Sequence, residues 1–241
     1  AELAAKGYDY WALGHVHARE VLNERPRIVF CGNLQGRHAK ETGAKGCELV
    51  TVEAGRVEAE FIALDMVRWS QLSVPLDGVD RLESLNEAFA RALEPVLAGT
   101  TDRLHAVRVT LTGSTELHRL EAAQPGTLAA AMHAAAQDIG TAEIWIEQVR
   151  LDLSTPLDRA RAAQRQDAVG ELVRLVDTIA GNEQELMRRA QVELGDLLGA
   201  MPAEVTAGDV PRLDDPAELR SLLMDAEATV LARLSASGEE A

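Results

Sequence analysis

The chain has 241 residues, of which 46% are hydrophobic and 26% charged; that is enough apolar content for one large or two small folded domains, and it excludes a disordered chain. The formal net charge of −15, from 24 basic against 39 acidic side chains, repels nucleic acid over the surface as a whole, so any such contact must be local or metal-assisted. No stretch approaches the roughly 18 consecutive apolar residues of a membrane span, and two cysteines, Cys31 and Cys47, are too few for a disulfide-stapled scaffold. The expected setting is cytoplasmic, with reduced thiols and no membrane.

The charge is uneven. Residues 1–72 carry 9 Lys+Arg and 10 Asp+Glu, whereas residues 73–241 carry 15 and 29. The chain opens on Ala1, not Met, and Glu2 to Gly7 reads as the last turn of a helix closed by a glycine cap. Both features suggest a piece of a longer protein.

In chain order, Tyr8–Leu13 and Arg27–Cys31 are short apolar runs ending at glycine, as buried strands do. Cys47–Val52 and Val57–Leu64 flank Gly55, a hairpin signal. Met66–Val74 predicts one more strand. Pro75-Leu-Asp-Gly78 is the best boundary, after which the pattern changes. Leu82, Leu85, Phe89, Ala92, Leu93 and Val96 predict a helix that Asp80 could cap. Leu104–Leu111 and Glu143–Leu153 predict strands, and Thr115–Asp138 predicts a helix broken at Pro125-Gly126. Three apolar stripes follow, at 168–179, 186–201 and 219–234, with a linker at Asp209–Pro216. The expected fold class is α+β in three parts, with residues 1–74, 75–155 and 156–241 as a β-rich part, a small αβαβ domain and a helical tail.

The sharpest chemical feature is Gly14-His15-Val16-His17, directly after a predicted strand. Two imidazoles two residues apart at a strand end can reach one cleft, and imidazole suits Zn, Mn or Fe. A second loop, Gly32-Asn33-Leu34-Gln35-Gly36-Arg37-His38, gathers glycines, amides, an arginine and a histidine in a pattern that suits phosphate contact. The plainer reading is a polar loop that satisfies its own backbone. Arg19, Lys40 and Lys45 could extend a basic patch. His105, His118 and His133 share no spacing and are expected to be structural; Trp69 and Trp145 are expected to anchor the core. Arg159, Arg161, Arg165, Arg188 and Arg189 have acidic neighbours, which argues for a mixed, solvated face.

Asp9-Tyr-Trp-Ala-Leu-Gly-His-Val-His-Ala-Arg-Glu20, followed by Ile28 through Gly-Asn-Leu-Gln-Gly-Arg-His to Cys47, resembles the last metal-binding motif of the calcineurin-like metallophosphoesterases and the segment after it in their DNA repair exonuclease branch (SbcD and YhaO-type). The resemblance extends, more weakly, past Arg68-Trp69 into the αβαβ part and the tail. It implies the C-terminal part of an αββα sandwich, a capping domain, and a helical tail that docks on an SbcC-like coiled-coil ATPase. It also implies a two-metal DNA exonuclease using Mn²⁺, with His15 and His17 holding one ion each. Asn33, Arg37 and His38 are then candidates for the substrate phosphate.

The departures matter as much. The family's other ligand motifs, Asp-x-His and Gly-Asn-His-Asp, occur nowhere; Gly195-Asp196 and Gly208-Asp209 occur in the wrong order and context. Two histidines fall short of the three protein ligands of even a single catalytic zinc. The chain alone is therefore expected to bind Mn²⁺ weakly and to lack nuclease activity. Two alternatives stay open. One is a non-catalytic module that binds the ATPase or DNA, with homodimerisation covering an exposed sheet edge. The other is a phosphoesterase acting on small phosphodiesters.

Overall fold

The structure is a computed structural model that describes residues 2–100, 102–140, 142–202 and 212–238. It is mixed α+β. The chain forms two compact units, one from Ala1–Pro75, Leu82–Thr112 and Ala129–Asp152, the other from Leu76–Arg81, Gly113–Leu128 and Leu153–Ala241.

In the first unit the chain enters through a 3-10 turn, Ala4–Lys6, closed by Gly7 at φ 81°. Strand β1 (Tyr10–Leu13) lies parallel to β3 (Arg27–Phe30), and β2 (Glu20–Glu24) pairs antiparallel with β3, which is therefore central. Ile28 and Val29 of β3 are buried, as a central strand requires. Strand β2 has glutamate at both ends and only Val21 and Leu22 as apolar residues, so no hydrophobic run announces it. Its place comes from pairing.

Strands β4 (Gly46–Glu53) and β5 (Arg56–Ala63) form the expected hairpin, in register from Gly46↔Ala63 to Glu53↔Arg56. The two turn residues both have positive φ, 49° at Ala54 and 79° at Gly55. That turn matches the right-handed twist of the strands. A side chain at Gly46 would meet the Ile62 carbonyl oxygen, so only glycine fits where the hairpin begins.

The third sheet has the order β6-β7-β8, with β6 at Val67–Pro75, β7 at Leu104–Ser114 and β8 at Glu143–Ser154. Strand β6 runs parallel to β7, from Val67↔Leu104 to Pro75↔Thr112. Parallel strands need a crossover, and α1 (Leu82–Leu97) supplies it, burying Leu85, Ala88, Phe89 and Leu93. Asp80 does not cap this helix through any described hydrogen bond; its carboxylate faces Arg81 at 3.6 Å. In β7 the alternation Val107, Val109, Leu111 is buried as expected, His105 continues that face, and Ala106 on the other face is buried too. A middle strand is covered on both sides. Trp69 and Trp145 meet edge to face at 6.0 Å. Trp145 is 49% exposed, so it flanks the core and does not anchor it. Met132, Ala135 and Ala136 of α3 (Thr127–Asp138) are buried.

The second unit is helical: α2 (Leu117–Ala123), α4 (Arg159–Ala163), α5 (Ala168–Ala180), α6 (Glu183–Gly199) and α7 (Pro216–Gly238). Three starts are capped by side chains that accept a backbone N–H, Asp158 from Arg161, Asp167 from Gly170 and Asn182 from Glu185. The apolar stripes pack on one another. Ile179, Leu186, Ala190 and Leu219 form one cluster, and Ala162, Val173 and Leu231 a second. Arg159 bridges Asp177 of α5 and the buried Glu227 of α7, at 2.7 and 2.6 Å. Gly195-Asp196 lies within α6; Gly208-Asp209 and the first part of the linker lie outside the described residues. No described helix is long and apolar enough to cross a membrane.

Candidate functional site

Between β1 and β2 the chain runs through His15, Val16 and His17, all exposed. His15 sits at φ 84°, in the left-handed region that a non-glycine residue enters at a cost of order 1 kcal/mol. His17 is held from two sides. Its carbonyl oxygen accepts from the Asn33 amide N–H at 3.2 Å and from Lys45 Nζ at 3.3 Å. Gly32, at φ 80°, lets the second loop come this close; a Cβ there would lie 2.8 Å from the same oxygen.

Its ring is held by Glu41, whose side chain is only 9% exposed. Glu41 Oε1 lies 2.7 Å from His17 Nδ1, and Oε2 accepts from the Arg37 backbone N–H and from Asn33 Nδ2, each at 2.9 Å. These donors, the Arg37 N–H foremost and then His17, outweigh burial and push the Glu41 carboxyl down to about 2. An ionised carboxylate only accepts, so the network assigns the proton to His17 Nδ1. Arg37 Nη2, 3.2 Å from that Nδ1, is a donor facing a donor, so this contact is no hydrogen bond. The guanidinium is instead drawn to Glu41 Oε1 at 3.6 Å, and it remains 65% exposed.

The rest of the second loop is architecture. Gln35 Oε1 accepts from the backbone N–H groups of Met66 and Val67, and its Nε2 donates to the Val67 carbonyl at 2.6 Å. One side chain thus stands in for a neighbouring strand along the start of β6. Trp69 Nε1 donates to Gly36 O at 3.0 Å, and Gln71 Nε2 to Ala39 O at 2.8 Å.

His17, Asn33, Arg37 and His38 are therefore gathered around one carboxylate. His38 is 57% exposed, with Nε2 3.9 Å from Glu41 Oε1. Asn33 points inward: Nδ2 is spent on Glu41, and Oδ1 is buried without a partner. His15 shares the loop of His17 and makes no described side-chain hydrogen bond. The wider basic patch does not form as a cluster of free cations. Arg19 donates twice to Glu48 and stacks on Phe61, and Lys45 is buried. Sequence reasoning missed Glu41. Its signal was a carboxylate three and four residues beyond His38 and Arg37, too common a spacing to stand out.

The donor set bears on a metal. A metal-binding histidine typically gives its second ring nitrogen to a carboxylate, which fixes the tautomer and makes the metal-facing nitrogen more basic. His17 has that arrangement, with Nε2 left as the ligand atom, so His17 fits a divalent cation, and exposed His15 supplies a second imidazole beside it. Among the described residues no group of three or more His, Cys, Asp or Glu side chains is placed to hold an ion. The fit is thus to part of a metal centre.

Residues 69–154 match the family model described as the middle domain of the metallophosphoesterase YhaO. The chain is 36% identical over 161 residues to the uncharacterized metallophosphoesterase YhaO of Bacillus subtilis (strain 168), a match covering 64% of this chain and 37% of that relative. It therefore spans little more than a third of the relative's length. No solved structure matches the chain. The two matches agree, one on the segment from Trp69 to Ser154 and the other across most of the chain, and together they show a likeness to the YhaO-like metallophosphoesterases, a family that implies dependence on a divalent metal.

Proposed function

We propose that this chain contributes the last ligand-bearing loop of a two-metal phosphodiesterase that acts on DNA as a repair exonuclease, with Mn²⁺ as the metal and His15 and His17 as ligands to one ion each. The observation that carries the reading is the His17 ring, oriented so that its Nδ1–H donates to an ionised, nearly buried Glu41. Ions held there would supply charge neutralisation at the phosphate and activation of water. The chain's own residues do the rest. Glu41 fixes His17, and Asn33 and the Arg37 N–H fix Glu41. The Arg37 guanidinium and the His38 ring, both exposed, face the phosphate oxygens. The remaining metal ligands belong to the whole protein. The helical unit, with Leu175, Val192, Leu197 and Val230 exposed, is the docking surface for a coiled-coil ATPase of the SbcC type.

The test uses the full-length protein with Mn²⁺ and end-labelled linear duplex DNA. Release of nucleotides that stops on chelation and in His17→Ala is expected. Mn²⁺-dependent cleavage that survives His17→Ala would sink the metal-ligand assignment. Hydrolysis of a small aryl phosphodiester with DNA left intact would put the substrate among small molecules.

A further inference from the structure

We propose that a cavity of the helical unit, lined by Arg119, Arg161 and Arg165, binds a phosphate group. The cavity has a volume of about 440 Å³, and its other walls are Pro156, Leu157, Asp158 and Ala162. It stands out because this part of the chain is acidic, with 15 basic against 29 acidic side chains over residues 73–241.

The three guanidinium groups carry donors that the protein does not satisfy. Arg119 reaches Glu116 through Nη1 at 3.1 Å, yet its Nε is buried and has no partner. A buried donor left unpaired keeps its desolvation penalty, so native structures seldom hold one without a reason. Arg165 spends Nε and Nη2 on a single oxygen of Asp167, and Nη1 has no described partner. The Arg161 side chain makes no described hydrogen bond or ion pair, unlike Arg159, Arg165, Arg188 and Arg189. Against these donors the wall offers one carboxylate, Asp158, and its Oδ1 already accepts the Arg161 backbone N–H at 3.0 Å.

The shape of the demand selects the ligand class. A planar carboxylate is filled by one guanidinium fork, whereas a phosphate presents acceptor oxygens in several directions and suits donors converging from three side chains. The apolar wall of Pro156, Leu157 and Ala162 suits the uncharged part of a ligand that bears the phosphate. Two sources share this chemistry, a phosphodiester of a nucleic-acid backbone and free phosphate. The site uses neither His15 nor His17, so it stands or falls separately from the metal-centre reading.

The experiment titrates the full-length protein at low salt, without divalent metal, with a fluorescent single-stranded oligonucleotide in one arm and inorganic phosphate by calorimetry in the other. Arg161→Glu and Arg165→Gln are the variants; both positions are exposed, and circular dichroism checks their fold. We expect Arg161→Glu to weaken binding by about tenfold or more, the size of a lost charge-assisted hydrogen bond. For the oligonucleotide, the salt dependence should also lose roughly one phosphate contact. Phosphate bound and lost in Arg161→Glu with no oligonucleotide binding keeps the site and makes its ligand free phosphate. Binding equal in wild type and both variants, or absent in both arms, overturns the proposal.

Discussion

At the scale of the residue, a single carboxylate organises the candidate site. Glu41 collects the Asn33 amide and the Arg37 backbone N–H from its own loop and the His17 ring from 24 residues away. Replacing it by glutamine keeps the shape and removes the charge that fixes the His17 tautomer. Glu41→Gln in the full-length protein should weaken Mn²⁺ binding about 10- to 100-fold, the usual loss when such an outer partner is removed. Calorimetric titration of the metal would measure it, and ¹⁵N chemical shifts of the His17 ring should show the Nδ1-protonated form giving way to a mixture. Unchanged affinity and unchanged shifts would remove Glu41 from its role. His15 gives a complementary case, because its backbone is strained. His15→Gly relieves that strain and should leave stability equal or raise it by up to about 1 kcal/mol, while metal binding falls. A loss of stability on urea denaturation would show that the ring packs structurally. His118 offers a pH handle away from the site. Burial lowers its pKa below the ordinary value of 6.5, and the nearby Glu121 only partly offsets this; Nδ1 lies 3.0 Å from Thr155 Oγ1. The unfolded chain therefore takes up the proton first, so stability is full above about pH 6.5 and falls as pH drops through and below that value. His118→Gln should flatten this fall, as read from urea midpoints between pH 7.5 and 5.5; an unaltered slope would clear His118 of any part in it.

At the scale of the element, regular structure was legible where one residue pattern sufficed. The hairpin, α1, strands β7 and β8 and the three tail helices all lie where periodicity places them, because their burial repeats every second residue or every third and fourth. Strand β2 was not legible, since its pairing partner supplies what its composition lacks. The loop of Asn33 to His38 was half legible. Its residue types suggested an anion site, but Gln35 and Gly36 serve to fasten the loop to β6, and a short motif does not reveal which of its members face inward. Two elements carry direct tests. The hairpin turn holds Ala54 at φ 49°, where asparagine or glycine is at ease. Ala54→Asn should stabilise the protein by about 0.5 kcal/mol, and a lowered melting temperature would contradict the turn geometry. Asp65, just ahead of β6, is buried and bonded to Arg68, to Arg103 and to the Lys45 N–H. Burial acts to raise its carboxyl, but Arg68, the Lys45 N–H and Arg103 together hold it below the usual range. Asp65→Ala would strand Arg68 and leave Arg103, at the foot of β7, with Asp102 alone, and should cost about 3 kcal/mol. A cost under 1 kcal/mol on denaturant titration would mean the arginines find water instead.

At the scale of the whole molecule, the comparison with YhaO and the geometry around His17 point the same way, and neither was needed to see the other. The resemblance to that family could be stated from the text between Asp9 and Cys47, because its two motifs lie close together in sequence. The arginine cavity could not be read from the sequence, since Arg119 lies far along the chain from Arg161 and Arg165. The way the chain is threaded has one further consequence. Each compact unit is assembled from three separate stretches, and strands β7 and β8 each begin in one unit and end in the other. No single cut of the polypeptide sorts the two units into different pieces. A gene shortened at any one codon deprives at least one unit of material. The molecule is thus a poor subject for dissection by truncation, and its parts are best separated by point substitution.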